Sequence, residues 1–329
     1  MSNIQLSMAI GRYDHVADVV NGRVRPEGID LTAMELPIEE IFFRTFSFGE
    51  WDISEFSMAK YVSLVGMATA PFRAIPVFPS RVFRQSAFYV APGGPIRGPE
   101  DMAGRRIGVP EWAQTAGVYA RAFLQHQCGV RLADIHWVQA GVNQVGRHEK
   151  VNPSLSAGVR IEQVHDRSLN DLLLAGDIDG IISAREPAGF VAGDPGIVRL
   201  WPDYRSIEEG YYRETGVFPI MHAIVINNAT LDRYPWVAMN LLRAFEEAKA
   251  NSLRRLSSIV NSSVAIPWAQ EAYHRAQTVL GEDFWPYGIE ANRRTLEAFL
   301  QYCGEQGVTQ RTVSVEELFP REVTKAFRV

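Results

Sequence analysis

Apolar and polar residues alternate with a period of two over residues 4–10 and 29–35, which predicts two strands near the start of the chain. Between them, the polar run Arg12-Tyr13-Asp14-His15 leads into a short amphipathic helix over 16–21, and Pro26 and Gly28 mark a turn. Pro37 stands where a first helical residue belongs, with Glu39 and Glu40 in the electropositive first turn. A third strand is predicted over 51–56, with Ser57 capping a helix from 58 to about 67. Strands follow at 74–78 and 87–91, separated by the segment 79–86, which Pro79 keeps from being a good helix.

After Pro92-Gly93-Gly94-Pro95 the pattern restarts. Strands at 106–109, 135–139 and 178–183 alternate with helices at 116–128 and 168–175, and 142–159 reads as a long loop. A strand at 222–227 precedes long helices at 236–256 and 268–280, then a helical hairpin of 293–304 and 315–328. Strands alternating with helices predict mostly parallel sheets covered on both faces. Two such units, the first resumed after the second, predict two lobes joined by two crossings. Residues 1–88 with 222–329 form one lobe, residues 89–221 form the other, and a ligand cleft lies between them.

The length of 329 residues suits two domains, and a 47% hydrophobic composition is enough for a sizeable core. With 33 basic and 38 acidic residues, the net charge of -5 argues against a general nucleic-acid binder. The cationic side chains are lopsided: lysine occurs only at Lys60, Lys150, Lys249 and Lys325, and the rest are arginine. Amines for Schiff-base chemistry are scarce, whereas planar forks that grip carboxylates are plentiful. Cys128 and Cys303 match no zinc or redox spacing and read as inert thiols in a reducing compartment. Residues 1–10 carry no basic leader or cleavage site, and no segment reaches the ~20 apolar residues of a membrane span. The expectation is a soluble cytoplasmic protein with no membrane partner; self-association into a homo-oligomer is left open. No G-x-G-x-x-G, P-loop, H-E-x-x-H or G-x-S-x-G motif occurs, and no His–carboxylate cluster has metal spacing, so no cofactor or metal is expected.

In open α/β sheets, ligands bind beyond the carboxyl ends of strands. That rule selects Asp14 and His15 after the first strand, Glu55 and Ser57 after the third, Glu111, Trp112 and Thr115 after the first strand of the second lobe, and Arg185 later in that lobe. Arg81, Arg84 and Ser86, together with His222, lie at the crossings and so near the cleft floor. Backbone N–H groups at the helix starts near Ser57 and Thr115 suit a carboxylate, as does a bidentate arginine. The alternative for Arg81 and Arg84 is a surface ion pair. For Glu55 it is helix capping or an arginine pair, and for His222 a satisfied core histidine. His148 and Glu149 read as a solvated surface of the long loop, and His126, His136, His165 and His274 as helix or strand-edge residues.

Residues 96–110 (IRGPEDMAGRRIGVP) and 172–180 (LLLAGDIDG) resemble elements of the second lobe of type II periplasmic-binding-protein folds. A closer likeness is to the 4,5-dihydroxyphthalate decarboxylase family. It is carried by RPEGIDL at 25–31, WDISEFS at 51–57, IPVFPSRVFRQS at 75–86, GVPEWAQTA at 108–116, YYRETGVFPIMH at 211–222 and the stretch 235–249. The likeness departs from the family pattern at Gln85, which replaces a histidine, and at Phe56, which replaces a methionine. Gln85 cannot transfer a proton at neutral pH, so another residue supplies the acid or the substrate differs.

The resemblance implies a two-lobed α/β fold of the type II periplasmic-binding-protein kind, each lobe a mostly parallel sheet flanked by helices. It also implies a cofactor-independent carboxy-lyase of aromatic-compound degradation, acting on a hydroxylated benzene dicarboxylate of phthalate catabolism. In that chemistry a ring hydroxyl para to the leaving carboxylate pushes electrons toward it. A general acid protonates the carbon, and CO2 departs. His222 is the first candidate acid and His15 the second. Glu55 or Asp14 would hold the hydroxyl, Arg81 and Arg84 the carboxylate that stays, and Phe56 or Trp112 would desolvate the one that leaves. Two alternatives use the same anion-gripping features: a non-catalytic solute-binding protein for a small aromatic or carboxylic acid, and another cytoplasmic lyase on this fold. The apparent lack of an export signal counts against the first.

Overall fold

The structure is a computed structural model and describes residues 3–147 and 149–324. Its strands are β1 (Ile4–Ile10), β2 (Ile29–Glu35), β3 (Ile53–Ser57), β4 (Phe72–Arg81), β5 (Phe88–Val90), β6 (Arg106–Val109), β7 (His136–Gln139), β8 (Ile161–Gln163), β9 (Gly180–Ile182), β10 (Val198–Arg199) and β11 (Ile220–Asn227). They form two sheets. One has the order β2-β1-β3-β11-β4, the other β10-β5-β9-β6-β7-β8.

Each sheet pairs its βαβ strands in parallel and accepts an antiparallel strand arriving from the other. In the first sheet β1 runs parallel to β2 and β3, while β11 is antiparallel to both β3 and β4. In the second, β6 runs parallel to β7 and β9, β7 runs parallel to β8, and β5 is antiparallel to β9 and β10. A strand delivered by a crossing enters from the far side, so it runs against its neighbours. Chain order and sheet order together give the two-lobed α/β fold that the alternating pattern predicts.

The helices pack where their sequences are apolar. Met58–Gly66 is buried at every position from Met58 to Leu64, and Thr115–His126 from Thr115 to Leu124. The first opens directly after β3 and the second after a five-residue loop beyond β6, and their first turns meet at Ser57, Ala59 and Thr115. Apolar residues of both sheets join one continuous core that includes Met8, Ile53, Phe56, Val109, Trp112 and Ile224. Among the described residues, no helix is long and apolar enough to cross a membrane.

Several elements differ from expectation. β4 continues through Pro79 to Arg81, because as the edge strand it needs no N–H donor on its outer side. The three-residue edge strand β8 and the helix Tyr204–Thr215 are unexpected. β8 is too short and polar to show a period. The helix buries only Tyr211, although Asp203 caps it by accepting from Ser206 N, a signal that was legible. The second arm of the C-terminal hairpin is broken by Pro320 into a turn at Glu316–Leu318 and a short helix at Arg321–Thr324, and positions 325–328 lie outside the described residues.

Candidate active site

β3 and β11 are neighbours, with His222 in register with Ser57. This pairing sets the Glu55 and His222 side chains together: His222 Nδ1 lies 2.6 Å from Glu55 Oε1. Glu55 is fully buried, and its charge is met by three donors. Besides His222, the Tyr13 hydroxyl donates to Oε1 at 2.6 Å and Gly11 N–H donates to Oε2 at 2.8 Å. Burial, then the Glu55 carboxylate, push the Tyr13 phenol far up, so it stays a donor. Because a carboxylate only accepts, Nδ1 carries the hydrogen in this contact, and Nε2 is the remaining ring nitrogen. Phe42 meets the His222 ring edge-on at 4.9 Å and helps fix its plane.

His222 opens onto a cleft of about 470 Å³ lined from both sheet units. Its cations are Lys60, Arg84, Arg147, Lys150 and Arg185, against the carboxylates Glu39 and Glu111. The excess positive charge suits an anion, and the volume is that of a small-molecule site. Ile38, Phe42, Val142 and Met221 supply an apolar wall.

Arg84 Nε donates to Met221 Sδ at 3.2 Å, and among the described residues no carboxylate stands within ion-pair distance of it, Glu208 acting on it from farther off. Burial pushes its guanidinium down to about 10, still charged near neutrality. Lys60 and Arg147 are instead drawn to buried Glu111, with Lys60 Nζ 2.9 Å from Oε2 and Arg147 NH2 2.7 Å from Oε1. Burial would raise the Glu111 carboxyl, but Lys60 and Arg147 outweigh it and hold it below the usual range. Neighbouring Glu149 goes the other way: burial and then Glu111 push it up.

Contacts across the cleft hold the units together. Ser57 Oγ and Thr115 Oγ1 are 3.1 Å apart, and Ala59 N–H donates to Thr115 Oγ1 at 3.0 Å. At the rim, Arg185 NH2 donates to both oxygens of Glu39 at 2.7 and 2.8 Å.

The structure brings together Glu55, His222, Arg84, Ser57, Glu111, Thr115 and Arg185, and places the other sequence candidates elsewhere. Arg81 turns away from the cleft: its fork donates to the Pro286 and Phe218 carbonyls and to Asn292, and its plane lies over Phe218. Asp14 points outward to Ser252 and Arg255. His15 sits among Tyr13, Trp285 and Tyr287, and burial pushes it down to about 4, so its neutral ring has no proton to give near neutrality. Ser86 is engaged by neighbouring side chains, its N–H donating to Glu208 and its carbonyl accepting from Arg199.

The Trp112 indole is core, donating to the Gln306 carbonyl and stacked by Arg121, and Phe56 packs against Phe42 and Phe72. At the helix starts, Thr115 Oγ1 takes the Ala59 N–H, and Glu149 takes the N–H groups of Trp112 and Ala113 in the loop before Thr115. Glu149 is therefore no solvated surface group; His148 lies outside the described residues. His126 pairs with Glu305 at 2.7 Å.

Lys60, Arg147 and Lys150 are cleft residues that no motif marked. The one signal was rarity: two of the chain's four lysines line this cavity. Among the described residues, no group of three or more His, Cys, Asp or Glu side chains is arranged to hold a metal ion.

No protein-family model matches the chain. A 4,5-dihydroxyphthalate decarboxylase from Comamonas testosteroni is 36% identical over 330 residues, covering all of both chains. A second, from Pseudomonas putida, is 36% identical over 214 residues, which is 65% of this chain and 83% of the relative. Among solved structures, the periplasmic aliphatic sulphonate binding protein SsuA from Escherichia coli superposes with a TM-score of 0.56 at 12% identity, covering 98% of this chain and 99% of its own. That likeness shows the fold: a type II periplasmic-binding-protein-like architecture.

Proposed function

The chain belongs to the 4,5-dihydroxyphthalate decarboxylase family, and on that premise we propose that His222 is the general acid that exchanges one carboxylate of a hydroxylated phthalate for a proton. The observation that carries this is the buried Glu55 carboxylate on His222 Nδ1, in a cleft whose Arg84 guanidinium is, among the described residues, paired with no carboxylate.

The enzyme is a carboxy-lyase, and its chemistry follows from the geometry. Arg84 binds the carboxylate that stays, a charge-assisted contact with two parallel donors. The carboxylate that leaves lies against Ile38, Phe42 and Met221, in place of the Phe56 and Trp112 expected from the sequence. Poor solvation there favours neutral CO2. His222 Nε2 gives its proton to the ring carbon bearing that group. The electron pair of the breaking carbon–carboxylate bond returns to the ring, restoring aromaticity, and CO2 departs. Glu55 stabilises the imidazolium before transfer and fixes the ring, and solvent reloads Nε2 once the cleft opens. Gln85 takes no part: it is buried, and its side-chain oxygen accepts from Arg84 N–H.

Purified protein incubated with 4,5-dihydroxyphthalate should release one CO2 and yield 3,4-dihydroxybenzoate. Saturable binding without CO2 release would instead favour a receptor for aromatic acids, which the fold also serves. The reading puts the enzyme in the cytoplasm, which cell fractionation tests.

A further inference from the structure

Deprived of Asp14, and with Glu55 committed to His222, the site still needs a group for the ring hydroxyls. We infer that Lys60 and Glu111, which meet across the cleft, form the hydroxyl subsite: Glu111 accepts from a ring hydroxyl, and Lys60 stabilises the phenolate formed when its proton leaves to solvent. The inference rests on the decarboxylase reading of this cleft.

Three observations support it. First, the polar groups of the cavity differ in kind. Among the described residues Arg84 has no carboxylate within ion-pair distance, so its donors complement a carboxylate. Lys60 and Glu111 offer a donor and an acceptor side by side, which complements a hydroxyl; a substrate carboxylate there would face the Glu111 charge. Second, Glu111 has accepting capacity left. Arg147 Nε and NH2 both reach Oε1, while Oε2 has Lys60 Nζ at 2.9 Å as its one charged partner among the described residues. Third, the surroundings favour negative charge. Lys60, Arg147 and Lys150 converge on the single carboxylate of Glu111, and burial pushes the nearby Glu149 toward its neutral form. Lys60 lies on the turn just after Ser57, whose register partner is His222, so the hydroxyl subsite and the acid are set by adjacent strands.

In the reaction, the phenolate oxygen pushes its electron pair into the ring toward the para carbon, which takes the proton from His222. The same pair returns to oxygen as the carbon–carboxylate bond breaks and its electrons restore the ring. The hydroxyl proton has already left to solvent, so the step balances without oxidant or metal.

The test needs no turnover, so its failure is separable from failure of the decarboxylase reading. 3,4-Dihydroxybenzoate is titrated into the protein at neutral pH and its ultraviolet spectrum recorded, with phthalate as the ligand lacking hydroxyls. The bound catechol should show the ionised spectrum at a pH where the free ligand is neutral. Lys60→Met should move that ionisation up by about 1–3 pH units, the size of one nearby charge, while phthalate affinity changes by less than about threefold. Lys60→Arg should keep the ionised spectrum. Should Lys60→Met fail to fold, Lys60→Gln, which also removes the cation, should move the ionisation in the same direction. A neutral catechol in the wild-type complex, or equal weakening of catechol and phthalate ligands in the variant, overturns the inference.

Discussion

Glu55 Oε1 stands 2.6 Å from His222 Nδ1 and 2.6 Å from the Tyr13 hydroxyl, so one carboxylate oxygen ties the acid on β11 to the loop that follows β1. Three strands of one sheet thus converge on a single negative charge.

His222→Asn should lower kcat by about 10²–10⁴, the usual contribution of a positioned general acid, and leave phthalate binding within a few-fold. Glu55→Gln should cost about 10–100-fold in kcat, because the ring loses its orienting charge. Steady-state kinetics with a thermal-shift titration of phthalate separate the two readouts. Unchanged turnover in His222→Asn would remove it as the acid.

Arg84 and Arg81 are three residues apart and should fail differently. Arg84→Met should weaken binding of phthalate by roughly 10–100-fold, about 1.5–3 kcal/mol for a lost charged hydrogen-bonding group. Arg81→Met should instead lower Tm, since it leaves Pro286, Phe218 and Asn292 without their shared donor. The folded fraction should bind phthalate normally. Calorimetric titration beside a melting curve distinguishes the two.

Stability should fall in mild acid because of His15. Its folded value, about 4, lies below the ordinary histidine value of 6.5, so the unfolded chain binds the proton more readily. The stabilisation is complete above about pH 6.5, is lost as pH falls toward 4, and loses nothing further below that; its upper bound is ~3 kcal/mol. His15→Gln should flatten the dependence of urea-unfolding free energy on pH between 6.5 and 4. An unaltered slope would show that other groups carry it.

At the cleft mouth, Arg185 and Glu39 are both more than half exposed, and such pairs stabilise by only about 0–1 kcal/mol. Arg185→Ala should therefore leave Tm nearly unchanged while speeding ligand release severalfold in stopped-flow measurements. Added salt should bring the wild type toward the variant. Equal release rates at low salt would mean that the rim pair does not hold the mouth.

What could be seen in the sequence follows from where each signal resides. Alternation located β1 and β2, strand ends located Glu55, and the crossings between the units located His222 and Arg84, because the period of a strand and the topology of a sheet are local or nearly so. Arg81 and Arg84 share one motif, and only the run of β4 through Arg81 turns the first toward residues 286–292. Lys60 lies in a helix whose neighbours are all core; its charge acquires meaning only when Glu111 arrives from the other sheet. Asp14 and His15 satisfied the strand-end rule, yet the long helix Val237–Ser257 packs beside that loop and engages Asp14 through Ser252 and Arg255.

β11 fills the place between β3 and β4, although nearly 140 residues of chain separate it from the end of β4. On the ribosome, the sheet begun first is therefore the last to close. Until residue 227 emerges, the inner edges of β3 and β4 stand open, while the second sheet needs nothing made after β10. The second sheet can pair as soon as it is made, and the strands on either side of it must wait for each other.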